Sequence, residues 1–205
     1  FVSMLRELGF HIVQEVSFGA DLVARKYKEL VETARGKYYL FSNCPVTVMY
    51  IEKYKPELIP NLAPVLAPGL TTGKIVRSLH GEDTRLVYIS PLIASKEEIR
   101  RLPGEQIIDE AITFRELRDL FGEKKLDEKK LEYSDFDEPM GYKGSLFPLS
   151  SGILEAAELD ERIMSSRVIT AEGEKILRAI EEFEENITLI KSHFNLFFKE
   201  FIMGR

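Results

Sequence analysis

The sequence predicts an α/β fold, two lobes of mostly parallel sheet flanked by helices, and two observations carry that reading. Short runs of β-branched and aromatic residues alternate with longer segments in which apolar side chains recur at helical spacing. Ser, Asn, Pro and Gly punctuate the strand-to-helix transitions, as at Ser42 to Pro45 and Ser90 to Ser95. In parallel sheets such turns line the site. One lobe is expected over about residues 1–80 together with the C-terminal segment, the other over 81–170.

Val2, Met4, Leu5 and Leu8 look like the later turns of a helix stopped by Gly9. The chain opens at Phe1, so its natural N-terminus is expected upstream and the fold is read as truncated there. Residues 11–16 read as a strand with a Ser17-Phe18-Gly19 turn behind it, and Leu22, Val23, Tyr27, Leu30 and Val31 mark a helix ending at Gly36. Residues 38–41 are the next strand. Pro45 suits the first turn of a helix that runs to Tyr54, and Pro56, Pro60, Pro64 and Pro68 predict an irregular connection before a helix over 70–79.

The second half repeats the alternation. Residues 85–90 read as a strand, 96–102 as a charged helix, 106–112 as a strand, and 114–121 as a helix with Thr113 as N-cap. Residues 123–139, rich in Asp, Glu and Lys, predict a solvated excursion. Ser150 begins a helix to Glu158, 167–171 is a strand, and Ile176, Leu177, Ile180, Phe183 and Ile187 mark a long amphipathic helix. The aromatic density of 194–202 fits a strand or a continuation of that helix, with a strand preferred.

A net charge of −6 over 205 residues, without a Lys or Arg cluster, excludes a general nucleic-acid binder. No apolar run approaches the roughly 20 residues of a membrane span, so no membrane partner is expected; the cytoplasm is the expected location. One cysteine excludes an internal disulfide. Cys44 stands at a strand end beside the first turn of a helix, where exposed N–H groups favour thiolate; it is a nucleophile, a metal ligand or an inert buried thiol.

Other motifs carry less. Gly69-Leu-Thr-Thr-Gly73-Lys74 is one residue short of a phosphate loop, has Ile75 in place of the magnesium-holding Ser or Thr, and follows a proline-rich coil rather than a strand. His11, His80 and His193 have no ligand spacing. Ser150-Ser151-Gly152 lacks the first glycine of a nucleophile elbow. The acid pairs Asp109-Glu110, Glu181-Glu182 and Glu184-Glu185 read as solvated faces.

Several segments in fixed order resemble the catalytic C-terminal domain of the iron-only (di-iron) hydrogenase large subunit. These are Ser42-Asn43-Cys44-Pro45, Tyr50-Ile51-Glu52-Lys53-Tyr54, Pro56-Glu57-Leu58-Ile59-Pro60-Asn61-Leu62, Thr113-Phe114-Arg115-Glu116-Leu117 and Leu146-Phe147-Pro148-Leu149-Ser150-Ser151-Gly152, with Leu8-Gly9-Phe10 and Phe18-Gly19-Ala20-Asp21-Leu22 ahead of them. The resemblance implies a hydrogenase-like fold through nearly the whole chain. In that family four cysteines hold a 4Fe–4S cubane, one of them bridging to a di-iron unit with carbonyl and cyanide ligands.

The ligand set departs from that pattern. Cys44 corresponds to the first-loop ligand, but Asn43 stands where hydrogenases carry a proton-relaying cysteine. Leu92 fills the second ligand position within Ser90-Pro91-Leu92, and Ser95 replaces the lysine that contacts cyanide. Phe197 or Phe198, according to the gap chosen, and Phe201 take the remaining two positions. Iron–sulfur clusters need thiolates or imidazoles, which Leu and Phe do not offer.

The resemblance therefore implies a non-catalytic, hydrogenase-like domain with a sensory, regulatory or subunit-interaction role, its cluster site plugged by apolar groups, and no cofactor is expected in this chain. One alternative is an iron–sulfur oxidoreductase or electron-transfer protein in which Cys44 shares a cluster with upstream ligands or those of another chain. Another is a small-molecule sensor using the space around Cys44. Ferredoxin-like or sensory domains elsewhere in the polypeptide are the expected partners.

Overall fold

The computed structural model describes residues 1–203 apart from 35, 102–105, 150 and 172; at 165 and from 191 onward it describes the backbone alone. The α/β class holds, with far less sheet than alternation predicts. Helices α1 (Val2–Glu7), α2 (Val16–Thr33), α3 (Pro45–Tyr54) and α4 (Pro68–His80) precede strand β1 (Val87–Ser90) and helix α5 (Ala94–Arg100). Strand β2 (Glu110–Thr113), α6 (Phe114–Glu123), α7 (Gly152–Ala157), α8 (Glu161–Arg167) and α9 (Lys175–Met203) follow. The two strands pair in parallel from Val87 opposite Glu110 to Ser90 opposite Thr113.

Alternation along β1 puts successive side chains on opposite faces of this small sheet. Ile89 and Ile112 pack towards a core of Val2, Leu5, Val13 and Leu117, while Tyr88 packs towards Ala67, Leu70, Ile107 and Ile108. A second set of clusters lies on α2 and beyond it. Val23, Tyr27 and Ala63 form one, Ala24, Leu154, Ala157 and Leu159 another, and Ile51, Leu58 and Ile180 join α3 to α9.

The two sets meet where α2 crosses α4, and Gly19 permits the crossing. A Cβ there would lie 2.1 Å from Thr72 Oγ1 and 2.6 Å from the Pro68 carbonyl. The glycines of the short phosphate-loop-like motif serve the same purpose inside α4. A Cβ on Gly69 would meet the Tyr88 ring at 2.6 Å, and one on Gly73 would meet Ile108 at 2.9 Å.

Several expected strands are corrected. Residues 11–16 form no ladder: Val13 exchanges its backbone bonds with Asp137 alone, donating to the carboxylate at 2.7 Å and accepting from the Asp137 N–H at 2.8 Å. Residues 38–41 contribute one isolated parallel bridge, Leu40 with Leu62. Of residues 106–112 only the end is strand; Ile107 and Ile108 are buried as core side chains outside the ladder. Where a strand was read over 167–171, Asp160 caps α8 through Arg167, and irregular chain follows.

The closing segment is no strand either. Helix α9 continues through 194–202, because the apolar spacing set by Ile176, Ile180 and Ile187 is extended by Phe194, Phe198 and Phe201. Ser150, the expected start of α7, lies outside the described residues, as does Leu102 at the expected end of α5. Pro56–Asn61 forms a 3-10 turn in the proline-rich connection, and 123–139 is largely irregular, as its composition predicts. Among the described residues no helix is long and apolar enough to cross a membrane.

Candidate functional site

The first loop is held from beneath by a buried phenol. Tyr27, on the inner face of α2, stacks on Phe41 with ring centroids 4.0 Å apart. Its hydroxyl accepts the Ser42 N–H at 2.8 Å and lies 3.2 Å from Ser42 Oγ. Ser42 Oγ is also placed to donate to the carbonyls of Ala63 at 2.8 Å and Val65 at 2.7 Å. Burial pushes the Tyr27 phenol up from its ordinary range, and the Ser42 hydrogen bonds oppose that push. Tyr27 is therefore a neutral anchor at physiological pH. Its position on the apolar stripe of α2 marked it as core, and nothing in the sequence marked its hydroxyl.

Cys44 follows as the N-cap of α3 in extended geometry, with Pro45 at the first helical position. Its carbonyl accepts the Val48 N–H at 3.1 Å, and its thiol is free and half-buried. Asn43 beside it is half-buried too. Neither is sealed in the core.

The second loop is tied by hydroxyls. Ser90 closes β1 and Ser95 lies in the first turn of α5; both are 2 % exposed, and their Oγ atoms are 2.9 Å apart. Ser90 Oγ accepts the Leu92 N–H at 3.2 Å, and the Leu92 carbonyl accepts the Ser95 N–H at 3.2 Å. The loop is thus a compact turn tied by its own serine hydroxyls. Leu92, at its tip, is 44 % exposed, and Ile93 is more open still. Leu92 does not fill a sealed cavity, contrary to the expectation of a plug.

Tyr88 and Glu98 complete this polar cluster. Burial pushes the Tyr88 hydroxyl up, with the Ser90 and Ser95 hydroxyls opposing. Glu98 shares a face of α5 with Ser95 and Ile99 at three- and four-residue spacing, and burial pushes its carboxyl up to about 7. In the sequence Glu98 is one charge of a charged helix, with no mark of burial of its own. Its signal was Ile99, which packs on the Leu70 and Ile108 core and fixes the inward face.

The helices opened by the two loops, α3 and α5, pack together, and Arg101 ties them by a 2.5 Å ion pair to Glu52. Phe197, Phe198 and Phe201 lie on the backbone of α9; their side chains lie outside the described residues. His11 and His80 are exposed, and among the described residues no three His, Cys, Asp or Glu side chains are grouped to hold a metal ion.

One acid pair read as solvated is a structural centre. Asp109 accepts from Arg77 at 3.0 Å and from the Leu86 N–H at 2.7 Å, and its side chain is 17 % exposed. Glu184, from another such pair, accepts from Lys55 at 2.5 Å across α3 and α9. The sequence shows the charges but not their partners, which lie 32 and 129 residues away.

The model of the family described as iron only hydrogenase large subunit, C-terminal domain, matches residues 1–196. Iron hydrogenase 1 of Clostridium pasteurianum is 33% identical over 171 residues, covering 75% of this chain and 30% of that protein. A solved structure of HydA(deltaEFG), described as revealing stepwise assembly of the FeFe-hydrogenase H-cluster, superposes with a TM-score of 0.60 at 26% identity, covering 69% of this chain and 39% of that one. A variant of HydA1, the FeFe-hydrogenase of Chlamydomonas reinhardtii, superposes with a TM-score of 0.64 over 84% of this chain and 49% of its own; at 22% identity this likeness is one of fold. The chain spans less than half the length of each of these relatives.

Proposed function

Because this chain belongs to the family formed by the C-terminal domain of the iron-only hydrogenase large subunit, we propose that it is a cofactor-free member in which the hydrogenase scaffold serves regulation or subunit interaction rather than hydrogen chemistry. The observation that carries the reading is the donor set. A 4Fe–4S cluster takes four thiolates, with imidazole as the occasional substitute, and the chain offers one thiol, Cys44. At the second loop the available polar atoms are the Ser90 and Ser95 hydroxyls, which are bonded to each other and to the loop backbone. Such a set does not fit the family's cluster, and no chemical step is derived through it.

Loss of a cluster removes the folding energy that ligation supplies, so the scaffold must be held by other means. The Tyr27–Ser42 anchor under the first loop and the Ser90–Ser95 bond under the second are contacts of that kind. The same reading assigns Asn43, Leu92, Ser95, Phe197, Phe198 and Phe201 to a vestigial site around Cys44. It also assigns the domain to the cytoplasm, divides it into the two lobes drawn from sequence, and gives it ferredoxin-like or sensory domains as partners.

The test is anaerobic purification and reconstitution with iron and sulfide, followed by metal analysis, a visible spectrum and viologen-linked hydrogen uptake. The expected result is colourless, inactive protein whose folding is unchanged by reconstitution. A stable cluster of roughly four irons per chain, lost in Cys44→Ser, would overturn the reading.

A further inference from the structure

A concavity lined by no residue of either loop lies between α2, the 140–143 turn and the C-terminal end of α7, with a volume of about 270 Å³. Phe18, Asp21, Arg25 and Lys28 recur at helical spacing and present one face of α2 to it. Phe18, Met140 and Ala156 supply apolar lining, while Arg25, Lys28 and Lys143 bring three positive charges from two walls.

The two carboxylates present are already engaged. Asp21 accepts the backbone N–H groups of Tyr142 and Gly144, each at 2.6 Å, which fixes the turn and turns its oxygens towards the backbone; its one negative charge and that of Glu158 are outnumbered by the three cations. Glu158 is the C-cap of α7 in left-handed geometry, φ 50° and ψ 48°, which an L-residue adopts at a cost of roughly 1–2 kcal/mol. That geometry accompanies its carbonyl accepting from Lys28 Nζ at 2.9 Å and its carboxylate pairing with Lys143. Glu158 therefore holds both lysines at the rim. Among the described residues Arg25 has no hydrogen-bond or ion-pair partner.

We propose that this cavity binds a small organic anion, its carboxylate or phosphate head on Arg25 with Lys28 and Lys143 alongside, its apolar body against Phe18, Met140 and Ala156. A charge-assisted bond to guanidinium is about twice as strong as a neutral one, and the apolar lining adds affinity that a bare inorganic ion does not gain. The volume lies just below the usual range of ligand pockets, which selects a single-ring or short-chain compound over a dinucleotide.

Calorimetric titration of the full chain at low salt with phenyl phosphate, benzoate, inorganic phosphate and neutral benzyl alcohol tests this. One or both organic anions should bind, which of them being set by the head group. Benzyl alcohol and inorganic phosphate should each bind roughly tenfold more weakly or worse, and Arg25→Gln should weaken the organic anion by a similar factor. Arg25 is exposed and unpartnered, so that variant tests the site without endangering the fold; Ala156→Leu, which narrows the cavity, should reduce binding independently. Failure of both organic anions to bind at millimolar concentration overturns the assignment. So does equal binding of benzyl alcohol or inorganic phosphate, or indifference to Arg25→Gln. No iron enters this measurement, so its outcome is separate from that of the reconstitution test.

Discussion

Glu98→Gln isolates the consequence of placing a carboxyl on the inner face of α5. Burial raises the Glu98 carboxyl from an ordinary 4.5 to about 7, which corresponds to up to about 3 kcal/mol of preference for the protonated form, less whatever solvent screening survives at this partly covered site. The folded-state value lies above the unfolded one, so between these pH values the native state holds the extra proton. The stability this gives is fully present below about pH 4.5, declines as pH rises, and is lost above about pH 7. Glutamine mimics the protonated acid at every pH. The difference in urea-unfolding free energy between Glu98→Gln and the parent should therefore be near zero at pH 4.5 and grow to about 2–3 kcal/mol in favour of the variant at pH 8. In thermal unfolding the same gain corresponds to roughly 2–4 °C per kcal/mol for a chain of this size. A difference that stays constant between those two pH values would refute the placement of Glu98 in the polar cluster of Tyr88, Ser90 and Ser95.

Arg77→Met should cost about 3–5 kcal/mol in denaturant unfolding, because it strips the ion pair from a largely buried Asp109 and the guanidinium bonds to the Ile107 and Thr84 carbonyls, at 2.8 and 3.1 Å; a loss below about 1 kcal/mol would contradict the clamp. Gly19→Ala should destabilise by about 1–3 kcal/mol or force α2 and α4 apart, read in chemical shifts at Thr72, since the new methyl meets the Pro68 carbonyl at 2.6 Å. Thr113→Ala should cost about 1 kcal/mol by breaking the capping box with Glu116. Lys96 and the Thr113 cap hold the Glu116 carboxyl down at about 2, so its contribution is present above the ordinary carboxylate range and lost as pH falls towards 2; Glu116→Gln should flatten the acid limb of the stability curve while leaving neutral pH less stable than the parent.

The elements legible in the sequence are those whose signals are local. Pro45 at the first turn of α3, the Thr113 and Glu116 pair at the start of α6, and the apolar stripe of α2 each act within about a turn of the residue that carries them. Strands lacked that advantage. Tyr38 to Phe41 and Ile107-Ile108 have the composition of buried strands, but a ladder needs a partner at the right register, which composition does not encode. Ile107 and Ile108 are core side chains, and Tyr39, Leu40 and Phe41 are half-buried, but Tyr38 is 48 % exposed. In the closing segment aromatic content points to a strand, but the helical period already running from Ile176 decides for the helix.

The candidate site divides in the same way. Cys44 at the entrance to α3 was visible because a proline and a strand end bracket it within three residues, and the likeness to the family was visible because its segments keep their order. What stiffens the two loops was not legible: the supports of the first come from outside the local motif, and that of the second depends on a turn geometry that composition does not encode. Tyr27 reaches Ser42 across 15 residues, Ser42 reaches Val65 across 23, and the Ser90–Ser95 bond exists only because a compact turn brings the two hydroxyls to 2.9 Å. These supports bear directly on how a hydrogenase scaffold could persist with one thiol. A loop tied by its own hydroxyls keeps its shape without a metal, whereas a loop shaped by ligation loses it when the donors go. Tyr27→Phe and Ser95→Ala should then loosen the first and second loops respectively, read as faster amide exchange at Ser42 and Leu92. If the loops were instead shaped by ligation, those rates would follow iron loading and ignore the hydroxyls.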